Sequence, residues 1–243
     1  MRAASRFGKA RTVSFENALV GWLGAVLPVA ILKHLPTQYY RINRYRFSVF
    51  ARPAMEKETT KAKPRRQAEG FFKKYFSGEG LDVGYGGDLV VPNCRGWDVE
   101  HGDAHDLAGV ADECFDFVYS SHLLEHLDDP ARALRNWWRV LKAGGYLILY
   151  VPERDLFERK RTLPSAVSLD HKHFFLLDRD DAPDTIGLIP LLQRNLPGVE
   201  IVYQRICDAG YHAESPRSFM PQGEFSIELV ARKAAGDLTP SSR

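Results

Sequence analysis

Between residues 115 and 151 the chain shows two kinds of apolar pattern. F-D-F-V-Y at 115–119 is a short run of large apolar side chains and predicts a buried strand. Asp129 followed by Pro130 then opens a helix, the carboxylate serving as N-cap and the proline sitting in the first turn. Leu134, Trp137, Trp138 and Leu141 recur at helical spacing along one face, and Gly144-Gly145 is expected to stop the helix. Y-L-I-L-Y-V at 146–151 is a second continuous apolar strand, ended by Pro152. Strands of this kind alternating with helices predict a parallel sheet covered on both faces. Upstream, residues 80–87 read as a strand ending in a glycine-rich turn, and 94–97 as a short second strand. Phe71, Phe72, Tyr75 and Phe76 have helical spacing, and 54–67 reads as a linker or polar helix. Downstream, 185–196 is predicted as one helix interrupted at Pro190, while 199–206 and 225–232 are two closing strands.

Charge changes this picture. Residues 1–75 carry 16 Lys and Arg against 4 Asp and Glu, a net of +12, and the rest carry 17 against 27, a net of −10. A basic arm therefore precedes an acidic body. The arm holds an apolar run at 18–32, shorter than the ~20 residues a spanning helix wants. A Tyr/Arg-rich stretch at 39–47 follows, suited to a membrane interface or a phosphate-bearing ligand, or to a half-buried helix. The expected organisation is a basic and apolar extension at 1–65, one domain at 66–236 and a polar tail at 237–243. Peripheral membrane contact through the extension is expected, at the inner face of a membrane in the cytoplasm. Nucleic acid is disfavoured, since no nucleic-acid motif accompanies the charge. Three scattered cysteines argue against a disulfide framework and for a reducing compartment.

The glycine turn narrows the chemistry. Glycines after a parallel strand let a ligand approach the backbone, whose free N–H groups favour anionic groups. A dinucleotide fingerprint would place a third glycine at Leu89, so a nicotinamide enzyme is disfavoured. Asp98 stands where the second strand should end, a position from which a carboxylate can accept hydrogen bonds from a ribose diol.

Five segments in order carry a resemblance: G-L-D-V-G-Y-G-G at 80–87, W-D-V at 97–99, G-D-A at 102–104, F-D-F-V-Y-S-S-H-L-L-E-H-L at 115–127 and R-V-L-K-A-G-G-Y at 139–146. As a set they resemble the class I S-adenosylmethionine-dependent methyltransferases, in particular the branch associated with lipopolysaccharide and other surface-glycan biosynthesis. The resemblance covers roughly residues 66–233. It implies an α/β, Rossmann-like, seven-stranded, mostly parallel sheet with the last strand antiparallel, here preceded by a helical basic extension. It implies S-adenosylmethionine as cofactor, with Asp82, Gly84, Tyr85 and Gly86 at its methionine part. Asp98, with Val99 beside it, would hold the ribose. Asp103 and Ala104 would border the adenine, and Ser120 and His122 the methionine end. Only ten residues separate Gly87 from Asp98, too few for a helix and a strand, so the first helices must be shortened. The side of the pocket thus exposed is expected to be covered by another segment, the basic arm.

Methyl transfer from a sulfonium is an in-line displacement that needs alignment in a dry site. A hydroxyl acceptor also needs a base, and histidine suits neutral pH. The candidates are His122, His126 and His171, with Glu125 able to orient one of them. His171 and His173 on an extended strand would project to one side as two metal ligands, but Asp170 falls on the other face and no metal is assigned. Arg154, Arg159, Lys160 and Arg161 form a basic loop that could meet an acidic acceptor. The expected activity is methyl transfer to a polar acceptor, a small molecule, a glycan or a lipid-linked species. The alternative is a non-catalytic S-adenosylmethionine-binding module that scaffolds a membrane-surface assembly.

Overall fold

A computed structural model describes residues 39–42, 45–48, 57–217 and 219–235. The chain divides into two compact units, 1–56 and 57–243. In the first, β1 (Tyr39–Ile42) and β2 (Tyr45–Ser48) pair antiparallel, with Tyr39 opposite Ser48 and Ile42 opposite Tyr45. The Tyr/Arg-rich stretch therefore holds a hairpin and not a helix. The apolar run at 18–32 and the tail at 237–243 lie outside the described residues.

The second unit begins with three short helices, α1 (Glu58–Lys61), α2 (Lys63–Ala68) and α3 (Phe71–Tyr75). Its sheet comprises β3 (Gly80–Val83), β4 (Cys94–Trp97), β5 (Phe115–Ser121), β6 (Leu141–Pro152), β9 (Val199–Cys207) and β10 (Ser226–Lys233). The spatial order is β4-β3-β5-β6-β10-β9. Strands β4, β3, β5 and β6 run parallel, and β10 inserts antiparallel between β6 and β9. The last strand is antiparallel, as expected, but the sheet has six strands among the described residues where seven were expected. The chain joining β4 to β5 is a run of turns anchored by buried Leu107 and Val110, and contains no helix. No helix lies between β3 and β4 either, so both early crossovers are reduced to turns.

Helix α4 (Pro130–Val140) is capped by Asp129, whose side chain accepts from Arg132 N at 2.9 Å. It buries Leu134, Trp137 and Trp138 against one sheet face. It ends at Val140, before the glycine pair expected to stop it. Gly144-Gly145 instead lies inside β6, where the pairing with β5 shifts register between Phe115 and Phe117. A Cβ on Gly145 would come 2.7 Å from Asp116 O, so the bulge needs glycine. The segment 185–196 also differs from its expected single helix. Thr185–Gly187 is strand β8, paired parallel with β7 (Phe174–Leu176), and only Leu188–Asn195 is helical, as α5. Pro190 falls in the first turn of α5, where its missing N–H costs nothing.

The other sheet face is closed by 57–76. Phe71, Tyr75 and Phe76 pack with Phe117, Tyr119, Ile148 and Tyr150. Arg66, fully buried, donates to Glu228 Oε1 at 2.6 Å and to Tyr119 Oη at 3.1 Å. Arg65 bridges Glu224 and Glu228. These pairs tie α2 to β10, so residues 57–65, assigned from sequence to the extension, pack as part of the body.

Candidate active site

The turn after β3 is held open by its glycines. Gly84 and Gly86 have φ of +79° and +56°, values other residues adopt only with strain. A Cβ on Gly86 would meet only Lys57 Nζ at 3.7 Å, and one on Gly87 nothing within 4 Å, so the backbone is open to a ligand. Asp98, just past β4, accepts from Gly86 N through Oδ2 at 2.9 Å and from Val99 N through Oδ1 at 2.8 Å. Two strand tips are thereby joined by one carboxylate. Val99 is 89% exposed, an apolar side chain presented beside that carboxylate. Lys57 Nζ donates to Gly86 O at 2.6 Å, and Thr60 Oγ1 to Asp88 Oδ2 at 3.0 Å. The segment beside the turn is thus the start of the second unit.

The remaining expected cofactor residues are occupied with the loops themselves. Asp82 is buried and accepts from Val90 N at 2.8 Å, stapling the turn to its strand. Burial pushes its carboxyl up to about 7, against the opposing effect of that hydrogen bond. The Tyr85 ring packs where a Cβ on Gly96 would lie. Its hydroxyl donates to Glu100. Asp103 accepts from His105 N, and Ala104 O accepts from Trp137 Nε1. Ser120 Oγ donates to Val83 O at 2.9 Å, locking the tip of β5 to β3.

Beyond β5 lies a cluster that sequence reading named in pieces. His122 adopts φ +50°, an uncommon conformation for a residue other than glycine. A single 3-10 turn, Leu124–His126, follows. Its Glu125 side chain is fully buried, and neither carboxylate oxygen has a hydrogen-bond partner. Three imidazoles approach Glu125 Oε1: His122 Nδ1 at 3.6 Å, His126 Nε2 at 3.8 Å and His171 Nε2 at 4.0 Å. Two of the other ring nitrogens are hydrogen-bonded: His122 Nε2 meets Ser226 Oγ at 2.8 Å and His171 Nδ1 lies 2.6 Å from Glu158 Oε1, whereas His126 Nδ1 is 3.0 Å from Asp170 Oδ2 without a hydrogen bond.

Burial pushes Glu125 up to about 7 and holds His122 well below the ordinary histidine value. His126 is lowered by the same cause. Burial works to lower His171 too, but its bond to Glu158 and the nearby carboxylates raise it overall. The cluster adjoins the glycine turn, because a Cβ on Gly84 would come within 2.9 Å of the Leu123 side chain.

Among known families, one model matches this region: a methyltransferase domain, over residues 81–149, which span the glycine turn, Asp98 and the histidine turn. Residues 81–149 form a methyltransferase domain. The turn and Asp98 suit S-adenosylmethionine, offering sterically open backbone to the methionine part and carboxylate lone pairs to a diol. In three dimensions the chain is similar to S-adenosylmethionine-dependent methyltransferases of three organisms. The Archaeoglobus fulgidus protein is 18% identical, with a TM-score of 0.44, over 72% of this chain and 94% of that one. The Thermotoga maritima protein is 19% identical, with a TM-score of 0.42, over 70% and 97%. The Methanosarcina mazei protein is 16% identical, with a TM-score of 0.40, over 65% and 93%. No curated protein matches the chain in sequence.

Two expectations around the methyltransferase site are corrected. His171 and His173 do not project to one side: His171 enters the cluster, whereas His173 Nε2 reaches Asp128 O at 3.4 Å. The reason is that 171–173 precede β7 as irregular chain, held by Lys172 N and His173 N donating to Glu125 O. The basic loop is largely consumed internally. Arg154 pairs with Asp155 and Asp181, Arg159 donates to Glu214 O, Arg217 O and Phe219 O, and Lys160 donates to Pro164 O. Sequence reading also missed Glu158 and Ser226 as histidine partners, and no local spacing signals either.

Proposed function

We propose that the domain transfers the methyl group to a hydroxyl of a polar acceptor, and that His122 accepts the proton released. What supports this is the buried histidine and carboxylate cluster at the tip of β5, in contact through Leu123 with the glycine turn. When bound, S-adenosylmethionine supplies a methyl group on a sulfonium. Transfer of that methyl group to an acceptor hydroxyl would release the hydroxyl proton, and His122 Nδ1 would take it. Ser226 holds the other ring nitrogen and so fixes the imidazole plane. Asp98 and the glycine turn align the donor, and Asp82 keeps the turn in place.

The acceptor is read as glycan-like or lipid-linked, from the motif set of residues 80–146 and the basic arm. Contact with a membrane surface belongs to the same reading. No helix among the described residues is long and apolar enough to cross a membrane.

The test is formation of S-adenosylhomocysteine by the full chain against a panel of glycan, lipid-linked and small hydroxyl acceptors. Acceptor-dependent product that falls by ~100-fold or more in His122→Ala supports the reading. Binding of S-adenosylmethionine with no turnover on any acceptor would favour the scaffold module. Liposome flotation with and without residues 1–56 tests the surface contact, and equal soluble recovery with anionic lipid present rejects it.

A further inference from the structure

We infer that Glu125, His126 and His171 together hold a divalent first-row transition-metal ion. The ligand atoms of these three residues lie within 4.8 Å of one another. They come from two distant segments: the 3-10 turn after β5 and the irregular chain before β7. The backbone fastens the two together, since Glu125 O accepts from Lys172 N at 2.8 Å.

Four features separate this cluster from an ordinary buried ion pair. First, Glu125 is completely buried, and neither of its oxygens is hydrogen-bonded. A carboxylate left so is costly, and such a group in a native fold calls for an ion or a proton. Secondly, the nitrogens nearest it are imidazole Nε2 atoms of His126 and His171, at 3.8 and 4.0 Å. These are too long for hydrogen bonds. They are only somewhat longer than the about 3.3 Å between ligand atoms around a tetrahedral ion with 2.0–2.1 Å bonds. Closing the cluster shortens these separations, which run up to 4.8 Å, by about 0.5–1.5 Å.

Thirdly, His171 Nδ1 is hydrogen-bonded to Glu158 at 2.6 Å, and Asp170 lies 3.0 Å from His126 Nδ1 as a charge neighbour without a hydrogen bond. Carboxylate behind imidazole fixes the ring and raises its basicity toward a metal. Fourthly, the charge is unbalanced. Glu125, Glu158 and Asp170 surround two imidazoles, while the nearby ammonium of Lys61 pairs with Glu58 at 2.7 Å. A divalent cation among the three carboxylates offsets that negative charge.

Two imidazoles and one carboxylate suit zinc, iron, cobalt or manganese ahead of magnesium or calcium. Three protein ligands also leave coordination positions for water or an oxygen donor, as catalytic sites do. His122 Nδ1, 3.6 Å from the same Glu125 oxygen, borders the site on the β5 side.

The test uses the full chain, stripped with chelator and reloaded with Zn²⁺ or Co²⁺. After desalting, mass spectrometry of the metal should find about one equivalent per chain, and Co²⁺ should give visible d–d bands. Glu125→Gln and His126→Ala should bind at least ~10-fold more weakly, while His173→Ala should bind as the parent does. Should His126→Ala fail to fold, Glu158→Gln serves in its place, with an expected loss of ~10–100-fold. Retention of less than ~0.1 equivalent by the parent chain, or equal binding by Glu125→Gln and the parent, overturns the inference. Metal content is read without methyl donor or acceptor, so its failure is distinct from failure of the methyl-transfer proposal.

Discussion

Asp98 and Gly86 belong to the tips of neighbouring parallel strands, and a 2.9 Å hydrogen bond from the glycine N–H to the aspartate Oδ2 joins them. The bond sets the turn and the carboxylate as one rigid unit before any ligand arrives. It also leaves the carboxylate with lone pairs to spare, since each oxygen accepts only one backbone N–H.

Asp98→Ala should therefore weaken S-adenosylmethionine binding through both the lost diol contact and the loosened turn. Charged hydrogen bonds contribute about 1.5–3 kcal/mol each, so calorimetry should show a loss of ~10–100-fold. Asp98→Asn keeps an acceptor oxygen and should fall between. An unchanged affinity in the alanine variant would remove Asp98 from the cofactor site.

Gly84→Ala combines a backbone at φ +79° with a Cβ placed 2.9 Å from Leu123 Cδ2. The backbone part alone should cost about 1–2 kcal/mol. Adding Leu123→Ala relieves the contact but not the backbone strain. The double variant should therefore bind S-adenosylmethionine better than Gly84→Ala and worse than Leu123→Ala. Equal affinities across the three would show that the turn tolerates a side chain.

Arg66→Ala leaves buried Glu228 with Arg65 as its remaining charged partner, through Nη1 at 2.6 Å. Removing one member of a buried pair costs about 3–5 kcal/mol, and the second arginine should hold the loss near the lower end. Urea unfolding measures it. A loss under about 1 kcal/mol would mean that α2 is not anchored through this residue.

Asp82 makes stability depend on pH. Its folded value is raised from 3.8 to about 7, so across that window the folded protein keeps a proton that the unfolded chain releases. The stabilisation is complete below 3.8 and is lost as pH rises through about 7. Asp82→Asn removes this dependence. Relative to the parent, the variant should gain on the order of 2–4 kcal/mol between pH 4 and pH 7.5. Parallel pH profiles from denaturant titration would rule the effect out.

Much of the framework was legible in the chain because its signals are local. The strands at 80–83, 115–121 and 146–151 announce themselves by consecutive apolar residues, and Asp129-Pro130 marks a helix start wherever it occurs. The glycine turn and Asp98 could be named for the same reason. The segment 185–196 was misread because three residues of strand and eight of helix, both apolar, give no change of period long enough to see. Gly144-Gly145 was misread because a helix stop and a β-bulge ask for the same residue.

Residue order along the chain thus dictated the alternation of strand and helix, the ligand-accepting turn and the presence of histidines near it. Contacts across the fold dictated the rest. Glu125 gathers imidazoles from the turn after β5 and from the chain before β7, Ser226 arrives from the last strand, and Arg66 reaches Glu228 across 162 positions. Desolvation and pairing energies depend on which atoms become neighbours in space. Those neighbours are set by sheet order and by loops docked through single hydrogen bonds, for which no local periodicity exists.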